Sequence, residues 1–332
     1  MTEQNQRIVL AARPDKVAGV EHFRLETVPM PTISAGQVLV RNHFLSLDPY
    51  MRGRMDDTKS YAAAQVVGET MGGGTVGEVI ASGSPDLAVG DRVVGMLGWQ
   101  LYGAADAQAL RKVDTSQVPL SAYLGVVGMP GVTAWIGLNK FVEPKAGETL
   151  VVSAASGAVG SAVGQLAKAK GCRVIGVAGG PEKCRIVTEE YGFDVCIDYK
   201  ADNVREALKT ACPDGIDGVF ENVGGPVFDE VLRRMNAFGR IAICGLIAGY
   251  NGEPIPVVNF RAVLVSRLRV QGFIVSEHPA LWPQALGELG SLVAQGKLRY
   301  RETTAQGLAN APQAFIGLLA GRNVGKQLVK LI

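Results

Sequence analysis

The sequence is poor in the residues that hold metals. Its 332 residues include three histidines and five cysteines, and no cysteine occurs before position 172. A structural zinc usually needs four clustered thiolates, and a catalytic zinc needs three Cys, His or acidic ligands around an open position. His22, His43 and His278 are far apart and lack ligand-like spacing, so each reads as a packing or surface histidine and no metal site is expected. Cys172, Cys184, Cys196, Cys212 and Cys244 include no CxxC pair. An odd number of cysteines in a large chain implies reduced thiols, not disulfides.

Other absences narrow the function further. No run approaches the eighteen or so consecutive apolar residues of a membrane-spanning helix. The opening MTEQNQRIVLAARPDK lacks a basic region followed by a long apolar one, so a cytoplasmic location is the expectation. The formal net charge is only +2, with Lys and Arg spread along the chain, which gives no reason to expect a nucleic-acid partner. The hydrolase signature GxSxG is missing, which argues against Ser153 or Ser156 as a nucleophile. There is no internal repeat and no low-complexity tract.

What is present is a large apolar chain with 47% hydrophobic and 19% charged residues. Its length exceeds the size at which one core stops growing, so two domains are expected. Up to about residue 125, short segments rich in Val, Thr, Gly and Pro, such as GQVLVRNHFLSLDP, suggest an antiparallel barrel or sandwich. Beyond it, strand-like runs (TLVVSAA, RVIGVAG, VCIDY, IDGVFENVG, RIAICG, LRVQGFIV) alternate with helical stretches (AVGSAVGQLAKAKG, EKCRIVTEEYG, NVREALKTAC, PVFDEVLRRMN). That rhythm predicts an α/β fold with a doubly wound parallel sheet. The segment from about Tyr300 returns to mixed character and is expected to fold back onto the first domain. The expected division is therefore 1–124 with 300–332, and 125–299.

The stretch VSAASGAVGS, residues 152–161, carries the chemistry. It follows a strand and opens a helix whose apolar positions Val159, Ala162, Val163, Leu166 and Ala169 recur at helical spacing. Gly157 lets backbone approach a pyrophosphate, Gly160 permits close helix–strand packing, and the first N–H groups of the helix face the phosphates. An NAD-specific fold places an acid about twenty residues further on, to bond the ribose 2′-hydroxyl. Here that place reads VAGGPEKC: Ala178, Gly179 and Gly180 offer no carboxylate, and Lys183 is placed to meet a 2′-phosphate. NADPH is favoured as the cofactor, although Glu182 beside Lys183 is an acid that a helix would have to turn to solvent.

Eight motifs, in order, complete the reading: LDPYMRGRM (47–55), GMPGVTAW (128–135), AASGAVGS (154–161), ENVGG (221–225), GRIAICG (239–245), GYN (249–251), GFIV (272–275) and GRNVGK (321–326). With them the chain resembles the zinc-independent medium-chain dehydrogenase/reductases of the group containing leukotriene B4 12-hydroxydehydrogenase/prostaglandin reductases, 2-alkenal reductases and NADPH-dependent curcumin reductases. The resemblance implies a Rossmann NADP-binding domain and a GroES-like β-barrel domain. It implies that Gly157, Ala158, Val159 and Gly160 hold the pyrophosphate, Lys183 and Tyr199 hold the 2′-phosphate, and Asn222 lies by the coenzyme. Further coenzyme contacts are implied for Cys244, Gly245, Tyr250, Phe273, Ile274, Val275 and Asn323, together with a homodimer. Two departures stand out: Glu221 where relatives commonly carry Asp, and Ala248 and Gly249 where they often have bulkier or hydroxylated residues.

Without a Lewis acid, simple alcohol oxidation loses its usual catalyst. Reduction of a C=C bond conjugated to a carbonyl needs none, because the charge develops on an enolate oxygen that hydrogen-bond donors can stabilise. The substrate expected is a small α,β-unsaturated aldehyde or ketone. The resemblance implies Tyr250 as the leading donor to the enolate and Tyr50, in LDPYM, as the second; Asp48 and Arg52, flanking Tyr50, are expected to shape that loop through an ion pair. Two alternatives remain open, an NADPH quinone oxidoreductase and a non-catalytic NADPH-binding protein.

Overall fold

The computed structural model describes residues 4–332. The chain forms two compact units, one running up to Gly125 and resumed at Glu302–Ile332, the other spanning Val126–Arg301. In chain order the first unit contributes β1 (Gln4–Leu10), β2 (Phe23–Pro29), β3 (Gln37–Ser46), helix α1 (Tyr50–Arg54), β4 (Thr75–Ser82), β5 (Arg92–Gly95), β6 (Tyr102–Asp106) and β7 (Arg111–Lys112). The second contains α2 (Met129–Ile136), β8 (Thr149–Ser153), α3 (Gly160–Ala169), β9 (Arg173–Ala178), α4 (Pro181–Arg185), β10 (Val195–Asp198), α5 (Val204–Ala211) and β11 (Ile216–Glu221). It continues with α6 (Gly225–Leu232), β12 (Met235–Ile243), α7 (Arg261–Val265), β13 (Arg269–Gly272) and α8 (Trp282–Ala294). The tail returns to the first unit as β14 (Glu302–Gln306), α9 (Ala311–Leu319) and β15 (Lys326–Lys330).

In the first unit β3 is the organising strand. It pairs antiparallel with β4, β6 and β15, and two register slips against β4, at Leu39/Val40 and Asn42/Phe44, bend the sheet. One core cluster gathers Trp99 stacked on Phe23 at 5.4 Å, with Phe315 of α9 edge-on to Trp99 at 5.7 Å. The returning tail is thus fixed by an aromatic anchor as well as by its strand pairing.

The second unit is a six-stranded parallel sheet in the order β10-β9-β8-β11-β12-β13. Val151, Ile175, Val219 and Ile241 belong to its core, and buried apolar runs of this kind are what a sheet covered on both faces requires. The strand order reverses between β8 and β11, and such switch points open a crevice at the carboxyl ends of the strands. The ends in question are Ser153 and Glu221. LRVQGFIV yields only the four-residue strand β13, because Phe273 leaves the sheet edge and buries its ring between Phe141, at 4.8 Å, and Phe220, at 6.1 Å. RIAICG instead extends backward to Met235.

Candidate active site

After Ser153 the chain turns sharply at Ala154, which holds φ +48, and Ala155 donates its N–H to Val177 O of the neighbouring strand. Gly157 then donates to Ala154 O at 2.9 Å. A side chain at Gly160 would put Cβ 2.4 Å from that same carbonyl oxygen, so only glycine allows α3 to start this close to the strand end. Gly157 has a similar though looser limit, at 3.1 Å. Ala158 and Val159 complete the bend, and Val159 is the cap residue of the ten-residue α3. The first turn of such a helix presents backbone N–H groups and the positive end of the helix dipole.

At the end of β9, Tyr199 donates its N–H to Ala178 O, and the Asp198 carboxylate accepts the N–H groups of Gly180 and Lys200 at 2.8 and 3.0 Å. Gly179 is wedged here: a Cβ would fall 2.8 Å from the Tyr199 ring and 3.0 Å from Lys200 Cε. Lys183 lies in the first turn of α4, behind Pro181. Partial burial holds its ammonium below the usual lysine range, repulsion from Lys200 adds to this, and Glu182 opposes it. Glu182 itself is exposed. Lys200 had no sequence signal beyond its position after Tyr199; only the folded strand end brings it to Lys183.

The inner loop is built on Glu221, which is 1% exposed. Its Oε1 accepts from Ser153 Oγ at 2.9 Å and from the N–H groups of Val223 and Gly224 at 2.7 Å each. Burial raises the Glu221 carboxyl above the usual range, against the pull of these donors. Ser153 Oγ in turn accepts the Asn222 N–H, and Asn222 Nδ2 donates to Ser153 O, both at 2.8 Å. Cys244 and Gly245 donate their N–H groups to Glu221 O, and burial pushes the Cys244 thiol up to about 12. Ser153 and Glu221, one set aside as a nucleophile and the other noted only as a departure, are therefore the brace of this loop.

Tyr250 folds back over the same loop. A Cβ at Gly245 would lie 3.2 Å from its hydroxyl, and Leu246 N–H approaches that oxygen at 3.5 Å. Burial raises the phenol above its ordinary range, with the Cys244 thiol adding to the shift. At the end of β13 the Phe273 ring faces the core, so this segment is left its backbone and the partly buried side chains of Ile274 and Val275.

Tyr50 and Asn323 belong to the first unit. Tyr50 starts α1, and burial, reinforced by the nearby Asp48 carboxylate, lifts its hydroxyl well above the usual tyrosine range. The expected Asp48–Arg52 pair is replaced by two others: Asp48 bonds the buried Lys326 at 2.7 Å, and Arg52 bonds Asp56 at 2.7 Å. A helical i,i+4 spacing favours the second, and the tail strand β15 delivers Lys326 to the first. Asn323 closes its own turn, Nδ2 donating to Gly325 O.

In the second unit, a bend with glycine at 157 and 160, two ammonium groups at a strand end without a β9 carboxylate, and a braced loop suit a phosphorylated dinucleotide. Among the described residues, no group of three or more His, Cys, Asp or Glu side chains is placed to hold a metal ion. No helix among them is long and apolar enough to cross a membrane.

Comparison with known proteins agrees in both units. A family profile described as the N-terminal domain of oxidoreductases matches residues 6–113, and one described as zinc-binding dehydrogenase matches residues 158–291. The NADPH-dependent curcumin reductase of Escherichia coli is 48% identical over 99% of this chain and 97% of its own. The NADP-dependent 2-alkenal reductase of Nicotiana tabacum is 45% identical over 89% of this chain and 87% of its own. The crystal structure of CurA from Vibrio vulnificus in complex with NADPH superposes with a TM-score of 0.94 at 46% identity, covering 98% and 99% of the two chains. Identity at this level along nearly the whole length shows that the chain belongs to the zinc-independent medium-chain dehydrogenase/reductases, in the group of the curcumin, 2-alkenal and prostaglandin reductases.

Proposed function

We propose that this protein is an NADPH-dependent reductase of the C=C bond of α,β-unsaturated aldehydes and ketones. The observation that carries the reading is the end of β9, where Gly179 and Gly180 stand in place of an acid and Lys183 and Lys200 face the same space. Whole-length similarity to curcumin and 2-alkenal reductases supplies the reaction class.

When bound, NADPH supplies the reducing equivalent to the β-carbon of the alkene. The bend Gly157, Ala158, Val159 and Gly160 takes the pyrophosphate, and Lys183 and Tyr199 take the 2′-phosphate. Asn222, held from both sides by Ser153, lines the site with Cys244, Gly245, Phe273, Ile274 and Val275, the Phe273 contribution being backbone. Asn323 completes the set. Leu246 N–H leans on the Tyr250 oxygen, which leaves the phenolic proton free to be donated. The raised Tyr250 phenol stays protonated at neutral pH, the state required of a donor to an enolate oxygen. Tyr50, raised further still, is the second donor.

A homodimer is part of this reading, supported by the edge strand β13, whose four residues are all exposed, and by Phe260 and Leu264 in the segment leading to it, 66% and 78% exposed. A cytoplasmic setting suits five cysteines that form no disulfide.

The test is consumption of NADPH, followed by its absorbance, with a 2-alkenal, a benzalacetone-type enone and a quinone offered in parallel. Turnover of the first two supports the reading. Turnover of the quinone alone makes the protein a quinone oxidoreductase, and binding of NADPH with no turnover makes it a coenzyme-binding protein.

A further inference from the structure

The coenzyme's 2′-phosphate carries between one and two negative charges at neutral pH. One lysine does not balance it. We propose that Lys200 is the second cation of the 2′-phosphate subsite, so that preference for the phosphorylated coenzyme is divided between a helix residue, Lys183, and a strand-end residue, Lys200. The inference deepens the function proposed above and rests on its assignment of NADPH.

The backbone explains how Lys200 arrives there. β9 and β10 run parallel with Asp198 opposite Ala178, and Tyr199 continues the ladder by one more bond to Ala178 O. The Asp198 carboxylate then ties the two strand ends together by accepting both Gly180 N–H and Lys200 N–H. Because Gly179 has no side chain, the Tyr199 ring and the Lys200 methylenes close over it, with Cε 3.0 Å from where a Cβ would be. The ammonium, one bond beyond Cε, is held at the same strand end from which Lys183 rises in α4. The two charges are near enough for Lys200 to depress Lys183. Two like charges at one strand end repel each other in the free protein, and an anion between them relieves that cost. Asp198 Oδ1 accepts both backbone N–H groups, which ties that carboxylate to the backbone of the strand ends, and Glu182 is exposed.

The test uses coenzyme fragments, so that it reads binding and not turnover. Adenosine 2′,5′-bisphosphate and adenosine 5′-phosphate are titrated calorimetrically into the wild type and into the variants Lys183→Ala, Lys200→Met and Lys200→Arg. The expected result is that Lys200→Met weakens the bisphosphate about tenfold, leaves the monophosphate unchanged, and that Lys200→Arg restores most of the loss. If Lys200→Met binds the bisphosphate as the wild type does while Lys183→Ala does not, Lys200 lies outside the subsite; the proposal falls and the NADPH assignment stands. If Lys200→Met weakens both fragments equally, the lysine only adds to the general field, which also overturns it. If the wild type itself fails to prefer the bisphosphate, the NADPH assignment falls and takes this inference with it.

Discussion

The two halves of the coenzyme-facing surface of the second unit are held by opposite means. At the rim, Tyr199 is 48% exposed, Lys200 is exposed and Lys183 half-buried beside a bare Gly179, so position is set by side-chain charge and by what binds there. At the inner loop, Ser153 and Glu221 are buried and every named contact is a short hydrogen bond to backbone or hydroxyl. The difference separates two tasks. In the proposed site, coenzyme choice would be made at the charged rim, and alignment where removal of one acceptor strands several donors. Changes at the loop should therefore damage the fold and every coenzyme alike, and changes at the rim should damage one coenzyme only.

The largest expected effect is at Glu221. Glu221→Ala leaves Ser153 Oγ–H and the N–H groups of Val223 and Gly224 without their buried acceptor, at a cost of about 3–5 kcal/mol. For a unit of this size the melting temperature should fall by about 10 °C or more. Glu221→Gln keeps the accepting oxygen and should lose less than half as much. Equal losses in thermal melts of the two variants would mean that the acceptor is not what holds the loop.

Next comes Tyr250, which the loop carries but does not depend on. Tyr250→Phe should lower kcat by about a hundredfold, the lower end for loss of a positioned general acid, with little change in NADPH affinity. Its melting temperature should stay close to the wild type, since the 3.5 Å contact from Leu246 is the one loop bond lost. A melt as low as that of Glu221→Ala would move Tyr250 from chemistry to structure. Lys183→Ala, at the rim, should lower NADPH affinity ten- to hundredfold through loss of a charge-assisted bond of about 1.5–3 kcal/mol, and leave NADH unchanged. Matching losses for both coenzymes in a fluorescence titration would erase the contrast between rim and loop.

The same contrast explains what could be read from the sequence. The doubly wound sheet was legible because buried parallel strands and amphipathic helices write their periods locally, and the glycine bend was legible because a side chain at Gly160 would strike the Ala154 carbonyl and one at Gly157 would crowd it. The brace was not. Ser153 and Glu221 are 68 residues apart and meet only because β8 and β11 are neighbours at the switch point, so a serine in a glycine-rich stretch looked like a nucleophile to be dismissed. Phe273 was chosen for its segment, yet which way a ring turns at a strand end depends on the cavity beneath it, here filled between Phe141 and Phe220. The partner of Asp48 was misjudged for a similar reason: Arg52 is near in sequence, but Lys326 is 278 residues away and arrives with β15.

The smallest effect is also the finest discriminator, because it asks whether the two rim lysines sense each other. Lys183 is held below the usual lysine range first by partial burial and then by Lys200, with Glu182 opposing. In the proposed subsite its charged form is the one that would hold a 2′-phosphate. As pH rises through this depressed value the charge is lost, so affinity for adenosine 2′,5′-bisphosphate should decline at lower alkaline pH than an ordinary lysine would dictate. Binding of the 5′-monophosphate should stay flat over the same range. Lys200→Met removes the repulsion, so its alkaline decline should shift to higher pH even though its affinity at neutral pH is weaker. A decline that stays in place in that variant would assign the depression of Lys183 to burial alone and leave the two lysines electrostatically independent.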